Sequence, residues 1–372
     1  MKPKHGKAAA TLGNDLINAM KNGLTNQQPA TIPPVVVAEP PKPQEQDLCR
    51  PHPARDPRYA ILRNPDWPQA KWDVSGAFIY QKLLTDFEDY FWVTAGLRMV
   101  SFVHGAPLCF WNGGRVKGCF QFPKPKIEFM LQEYDKREIP VELTFTNSML
   151  REEHLEDPVG NGMLEMLNQY NRTGENGVIL CSELLYDHVK KNFPKLKRIA
   201  SVVKVSHEQG AGNLDYYRRL EERFDKIMIH PDDNFNLELL QKLEDKSRYE
   251  ILVNEPCIRD CPVRKRHYQI LSQIALNFLD ARLASQETEL RDKNRCNEIN
   301  DLLFDPKRRT LVLSDAEIKQ LYDLGFRNFK IQGRGMNSEQ AMLLELFRLM
   351  LNHDPACSHI IARVMHRFFI GG

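Results

Sequence analysis

The sequence lacks the patterns that mark several common protein classes. It has no run of about 18 apolar residues, which excludes a transmembrane helix. The basic N-terminus, with Lys2, Lys4 and Lys7, is followed by no apolar stretch, so it is not a secretory signal. The formal net charge is only +2, which gives no general argument for nucleic acid or an anionic membrane as a partner. These absences predict a soluble, cytoplasmic protein without a membrane partner.

Two hydrolase signatures are also absent. The chain contains neither the His-Glu-x-x-His zinc motif nor the Gly-x-Ser-x-Gly motif that places a nucleophilic serine on a sharp turn. Cysteine is sparse, with 8 residues in 372. Without a secretory signal, these cysteines are expected to be reduced thiols or metal ligands and not a disulfide framework.

Proline and aromatic residues divide the first hundred positions into two parts. Of the 23 prolines, 12 precede residue 69, and this proline-rich stretch contains very few aromatic residues. Such a composition cannot bury enough apolar surface to offset its ordering entropy, so residues 1–57 are predicted to form a disordered arm. The arm is a candidate site for recruiting a second subunit. Residues 58–97 are rich in tryptophan, phenylalanine and tyrosine and are predicted to form a segment that caps the following domain.

From residue 98 onward, short β-rich runs alternate with amphipathic helices. This alternation over 98–372 predicts an α/β fold, a (β/α)8 TIM-like barrel, with a doubly wound open sheet as the alternative. A long insertion at 254–309 carries cysteines, and insertions of this length are usually functional. The predicted strands are Met99–Val103, Val141–Phe145, Gly177–Cys181, Ser201–Val205, Lys226–Ile229, Tyr249–Val253, Thr310–Leu313 and Asn328–Ile331.

Polar residues follow nearly every predicted strand, at the end where barrels of this type bind ligands. Arg115, Lys330 and Arg334 would supply positive charge to a phosphate or carboxylate. Arg334 stands in a loop before a helix that opens at Ser338, and a helix start of this kind favours anions. The alternative is that Arg334 pairs with an acidic residue across the barrel mouth and only ties the loops together.

The most specific motif is the stretch Asn254-Glu-Pro-Cys-Ile-Arg-Asp-Cys-Pro-Val-Arg-Lys-Arg-His-Tyr268. Cys257 and Cys261 directly follow a predicted strand, and their spacing lets both sulfurs face one zinc ion or iron–sulfur cluster. Basic neighbours at 259, 264, 265 and 266 would lower the thiol pKa values and offset the negative charge of a cluster. The alternative is a pair of buried structural thiols. Cys296 lies in the insertion, and Cys109 or Cys181 could complete four ligands.

These residues resemble the collagenase-like peptidase family. The resemblance rests on the 254–268 stretch, on strand order and on Phe329-Lys-Ile-Gln-Gly-Arg334, which looks like the family's lysine–isoleucine–glutamate–glycine–arginine signature with Gln332 in place of glutamate. It covers about residues 98–352. It implies a barrel carrying a four-iron, four-sulfur cluster, held here by Cys257, Cys261, Cys296 and Cys109. Several family members hydroxylate ubiquinone precursors or RNA bases without oxygen.

Three classes of function follow. The favoured one is an iron–sulfur enzyme that hydroxylates a nucleobase, as in RNA, or an aromatic small molecule. The second is a peptidase, for which Cys181 with His207 or His230 would have to form a thiolate–imidazole pair. The third is a non-catalytic subunit in which a cluster or zinc holds the long loop.

Overall fold

The computed structural model describes residues 61–113, 122–277, 280–294, 296, 310–333 and 338–369. The predicted arm at 1–57 lies outside the described residues, as do Arg115 and Arg334. Within the described part of the chain, no helix is long and apolar enough to cross a membrane.

Eight parallel strands close into a barrel, which confirms the predicted fold class. The strands are β1 Lys71–Ser75, β2 Phe102–Gly105, β3 Val141–Phe145, β4 Gly177–Leu180, β5 Lys197–Ala200, β6 Lys226–Met228, β7 Tyr249–Leu252, β8 Asn254–Ile258, β9 Thr310–Val312 and β10 Asn328–Ile331. Around the barrel they follow the order β1-β10-β7-β6-β5-β4-β3-β2, and β1 closes the ring by pairing with both β2 and β10. A separate antiparallel pair is formed by β8 and β9.

Helices alternate with the barrel strands, as the crossover between parallel neighbours requires. They are α1 Gln81–Ala95, α2 Lys124–Lys136, α3 Pro158–Gln169, α4 Glu183–Asn192, α5 Val202–Glu208, α6 Leu214–Glu221, α7 Leu237–Gln241, α8 Arg264–Leu276, α9 Ala281–Lys293, α10 Asp315–Asp323, α11 Glu339–Met350 and α12 Ser358–Phe369. Local sequence sets several of their ends. Ser314 and Glu317 form a capping box before α10, and Ser338 caps α11 through the amide of Ala341.

The first barrel strand lies in the segment that was predicted to be a cap. Within 58–97, Lys71–Ser75 forms β1 and Gln81–Ala95 forms the first barrel helix, so the barrel begins well before residue 98. Its aromatic side chains belong to the main core, where Trp72 packs against Phe329 of the neighbouring strand at 5.5 Å between ring centroids. The density of aromatic residues therefore reflects burial between strand and helix.

One predicted strand is wrong, and another is a strand but lies outside the barrel. Ser201–Val205 is the start of α5, because the Ser201 hydroxyl accepts the amide of Lys204 and caps a helix; the strand is the preceding Lys197–Ala200. Thr310–Leu313 overlaps β9, which pairs with β8 outside the barrel. The eighth strand of the barrel is instead β1. The predicted Val141–Phe145 and Asn328–Ile331 agree with the structure residue for residue.

Candidate functional site

The structure brings Cys257 and Cys261 together. Cys257 is buried on β8, directly after barrel strand β7, and Cys261 follows a turn in which Asp260 has a positive φ of 51°. A hydrogen bond between the two thiols is the main reason that the pKa of Cys261 is raised, with burial adding to it. Aspartate tolerates the left-handed conformation better than most residues, so this turn suits its sequence. The pair could supply two of the four thiolates of a metal site.

Arg264 holds the loop that carries these cysteines. Its Nη2 donates to the carbonyl of Ile258 at 2.9 Å and lies 3.2 Å from Oδ2 of Asp232, which follows strand β6. Asp232 also accepts the amide of Asp260 at 2.8 Å. The Arg264 side chain is only 5% exposed. Its charge therefore sits inside the loop and not in solvent.

Helix α8 lies across the C-terminal mouth of the barrel. At its start Arg264 reaches the end of β6, and its middle residue Tyr268 belongs to a buried cluster with Met228 and Leu252 at the ends of β6 and β7. Near its end, the Ser272 carbonyl accepts from Nδ2 of Asn147 at 3.1 Å, beyond β3. The insertion predicted at 254–309 thus supplies a roof over the barrel interior.

Cys296 follows the second helix of a hairpin that α8 and α9 form. The two helices pack against each other, and Nε2 of His267 lies 2.9 Å from Oε1 of Glu287. Cys261 precedes His267 on the first arm and Cys296 follows Glu287 on the second. Because the arms run in opposite directions, both cysteines lie toward the same end of the hairpin.

The barrel mouth also holds buried polar atoms that have no hydrogen-bond partner among the described residues. They come from strands β1 and β3 and from the segments that follow β3, β5, β6 and β8, and ligands bind at this end in barrels of this type. An unsatisfied buried polar group costs about 1–3 kcal/mol, so such a group is typically matched by a ligand or by water. These atoms are Ser75 Oγ, Thr144 Oγ1, Thr146 Oγ1, Ser206 Oγ, Asn234 Oδ1 and Arg264 Nη1.

His230 and Asp233, which follow β6, make different hydrogen bonds at this end of the barrel. Burial, together with the charge of Arg264, lowers the pKa of His230 to about 3, so the ring is neutral, and its Nδ1 accepts the amide of Asp232 at 3.2 Å. Asp233 accepts from the Tyr217 hydroxyl at 2.8 Å and from the Gly212 amide at 2.7 Å. Asp233 therefore ties the loops after β5 and β6 together.

Cys109 and Cys181, the other predicted ligands, are both buried. The amide of Cys109 donates to Oδ1 of Asn112 at 2.6 Å, and burial, with a contribution from the charge of Asp157, raises the pKa of Cys109. Cys181 is buried in the cluster under Tyr268, where burial raises its pKa to about 12. In the described structure, Cys181 makes no hydrogen bond to His207 or His230.

Lys330 lies inside the barrel, in a network of charges that the sequence analysis missed. Its Nζ contacts Asp73 and lies 3.3 Å from Oε2 of Glu250 and 3.7 Å from Oε2 of Glu142. Lys226 contacts Glu142 and lies 2.8 Å from Oε1 of Glu250. The charge that was predicted to meet an anion is thus already balanced by buried carboxylates.

Within the described residues, Asp73, Glu142 and Glu250 are the one set of three candidate metal-ligating side chains whose ligand atoms lie within 4.8 Å of one another. Two ammonium groups compensate these three carboxylates, and Nδ1 of His104 lies 2.8 Å from Oδ1 of Asp73. The missed signal was the placement of charged residues inside otherwise apolar strands such as Tyr-Glu-Ile-Leu at β7. In a sheet covered by helices, such residues must point into the barrel.

Comparisons with known proteins give distant similarity in fold to solved structures. No family model matches the sequence, and no curated protein matches it. One solved structure, titled "The Structure of the U32 Peptidase Mk0906", is 13% identical with a TM-score of 0.44, covering 70% of this chain and 92% of that chain. At this level the similarity carries no information about activity.

Proposed function

We propose that this chain is an iron–sulfur enzyme whose cluster is held by Cys257, Cys261 and Cys296 above the barrel mouth. The observation that supports it most directly is the meeting of the Cys257 and Cys261 thiols after a barrel strand, beside the buried guanidinium of Arg264. Thiolates are the ligands of iron–sulfur clusters, and a nearby cation favours the deprotonated form that binds metal.

The donor set fits a cluster better than the acidic group in the barrel interior. Asp73, Glu142 and Glu250 are engaged by two lysines, whereas thiols are the ligands that iron–sulfur clusters use. A four-iron, four-sulfur cluster would supply one-electron transfer. The fourth ligand is proposed to be Cys109, with Cys181 as the alternative.

The barrel mouth would supply the substrate contacts. The hydroxyls of Thr146 and Ser206 and the amide oxygen of Asn234 are buried without partners, and such groups suit the polar edge of a nucleobase or a substituted aromatic ring. Tyr268 covers this region from α8 and limits the access of water. Together with the family resemblance, these groups support oxygen-independent hydroxylation of such a substrate as the proposed reaction.

Iron and sulfide analysis of anaerobically purified protein tests the proposal. The wild type should be brown and contain both elements, while Cys257→Ser, Cys261→Ser and Cys296→Ser should each lose most of both. Cys357→Ser is the matched control, because Cys357 is buried in a short turn where its thiol contacts the Ile61 carbonyl at 3.9 Å. Full iron and sulfide in both Cys257→Ser and Cys261→Ser would contradict the proposal.

The same preparation distinguishes the alternative functions. A colourless protein that holds zinc on these cysteines would favour the structural metal site. A colourless, metal-free protein that cleaves peptides and loses this activity on Cys181→Ala would favour the peptidase. Serine variants of Cys109 and Cys181, compared for iron content, identify the fourth ligand.

A further inference from the structure

Arg264 is attached at both ends of the cysteine loop. Its backbone amide donates to the carbonyl of Cys261 at 3.3 Å, and its Nη2 donates to the carbonyl of Ile258, the residue after Cys257, at 2.9 Å. The side chain therefore folds back along the loop that joins the two cysteines. This position is fixed by two backbone carbonyls and by Asp232, so it does not depend on a flexible surface contact.

One nitrogen of this guanidinium remains unpaired. Nη1 is buried and has no hydrogen-bond partner in the described structure, while Nη2 has several. Leaving a charged donor unsatisfied in the interior is costly, which indicates an acceptor that belongs at this position. Burial lowers the pKa of Arg264, but nearby negative charge, of which Cys257 contributes the most, outweighs burial and raises this pKa above its usual value. Since Arg264 also bonds the carbonyls of Ile258, next to Cys257, and of Cys261, its unpaired nitrogen lies along the loop that carries the two thiols.

A second arginine in the same loop shows the contrast. Arg259 lies between the two cysteines in sequence, and its Nε donates to the Thr310 carbonyl at 3.1 Å while its Nη2 donates to Oε1 of Glu317 at 3.2 Å. Its guanidinium also covers the ring of Phe235. The charge of Arg259 is therefore directed away from the thiols and toward α10.

We propose that Nη1 of Arg264 donates a hydrogen bond to sulfur of the metal centre at Cys257 and that Arg264 sets the reduction potential of that centre. The inference rests on the proposed cluster. A hydrogen bond from a cation stabilises the reduced, more negative state, and hydrogen bonds to sulfur are one of the factors that tune such potentials. Arg264 is thus a positioning residue that acts on the cluster through a ligand.

The test is a redox titration, followed by visible and EPR spectra, of the anaerobically purified full-length protein. Arg264→Gln should retain iron and sulfide but shift the potential to more negative values, because it removes both the charge and the donor fork. Arg264→Lys keeps the positive charge but lacks the paired N–H donors of the guanidinium, so it should shift the reduction potential less than Arg264→Gln does. Arg259→Gln removes the same charge from the same loop and should leave the potential at the wild-type value.

The outcomes separate this inference from the proposed function. Wild-type protein without iron and sulfide overturns both. An intact cluster whose potential is the same in wild type, Arg264→Gln and Arg264→Lys overturns the role of Arg264 alone. If Arg264→Gln does not fold, Arg264→Lys decides the question: a more negative potential supports the hydrogen bond, and an unchanged one overturns it. An equal shift in Arg259→Gln would also overturn it, since the effect would then be one of general charge.

Discussion

The barrel contains two polar regions that differ in how completely their groups are paired. In the interior, Asp73, Glu142 and Glu250 contact the ammonium groups of Lys226 and Lys330, so each ion has an opposite charge beside it. At the mouth, hydroxyl, amide and guanidinium atoms are buried without partners. An ammonium group beside every interior carboxylate indicates a structural role, and even Glu142 Oε2, which makes no hydrogen bond, lies 3.7 Å from Nζ of Lys330. Incomplete pairing at the strand ends indicates where a ligand is expected.

The largest expected effect comes from breaking the paired interior. Lys330→Met removes an ammonium group from beside Asp73 and Glu250, and leaving buried carboxylates uncompensated typically costs about 3–5 kcal/mol. Urea unfolding should show this loss in the free energy of unfolding. The control is Lys319→Met, which breaks a partly exposed pair with Asp323 and should change stability by no more than about 1 kcal/mol. A loss below about 1 kcal/mol in Lys330→Met would show that the interior network is not structural.

The second prediction concerns the surplus acid in the same network. Three carboxylates meet two ammonium groups, and burial raises the pKa of Glu142 from 4.5 to about 8. The folded state then binds a proton more tightly than the unfolded state, so this group's contribution to stability is complete below pH 4.5 and is lost as the pH rises through about 8. One such group gives a slope of at most about 1.4 kcal/mol per pH unit.

Glu142→Gln cannot titrate and should therefore flatten the fall in stability over that pH range. Unfolding free energies measured at several pH values check the slope, and the exposed Glu244→Gln should retain the wild-type slope. Equal slopes in Glu142→Gln and wild type would assign the surplus proton to another group of the network.

The smallest expected effect sharpens the contrast at the mouth. Ser201 caps the start of α5 and Ser206 lies within the helix, and both are buried. The Ser201 hydroxyl accepts a hydrogen bond from the amide of Lys204 at 3.0 Å, whereas the Ser206 hydroxyl has no partner among the described residues. Ser201→Ala should cost about 1 kcal/mol, the usual value of a lost helix cap. Ser206→Ala should leave the free energy of unfolding unchanged or raise it slightly, since it removes an unsatisfied group. A loss in Ser206→Ala equal to that in Ser201→Ala would mean that its hydroxyl is satisfied within the fold.

Local patterns in the sequence were sufficient for much of the fold. The alternation of β-rich runs and amphipathic helices predicted the barrel, and Ser338 located the start of α11 because cap and helix are neighbours in sequence. The same approach failed at Ser201–Val205, where three valines suggested a strand. The residues form a helix instead, because the Ser201 side chain caps it. It also failed at β1, whose aromatic residues were interpreted as a separate cap.

The sequence by itself determined the kind of fold and the cysteine motif, because both depend on residues that are near one another along the chain. Only the tertiary structure decided the role of each charge. Lys330 and Arg264 both lie close to predicted site residues in sequence, yet one is neutralised inside the barrel and the other keeps an unpaired nitrogen beside the thiols. Pairing depends on which side chains the closed barrel and the α8 roof bring within a few ångströms, and those partners come from strands far apart in the chain.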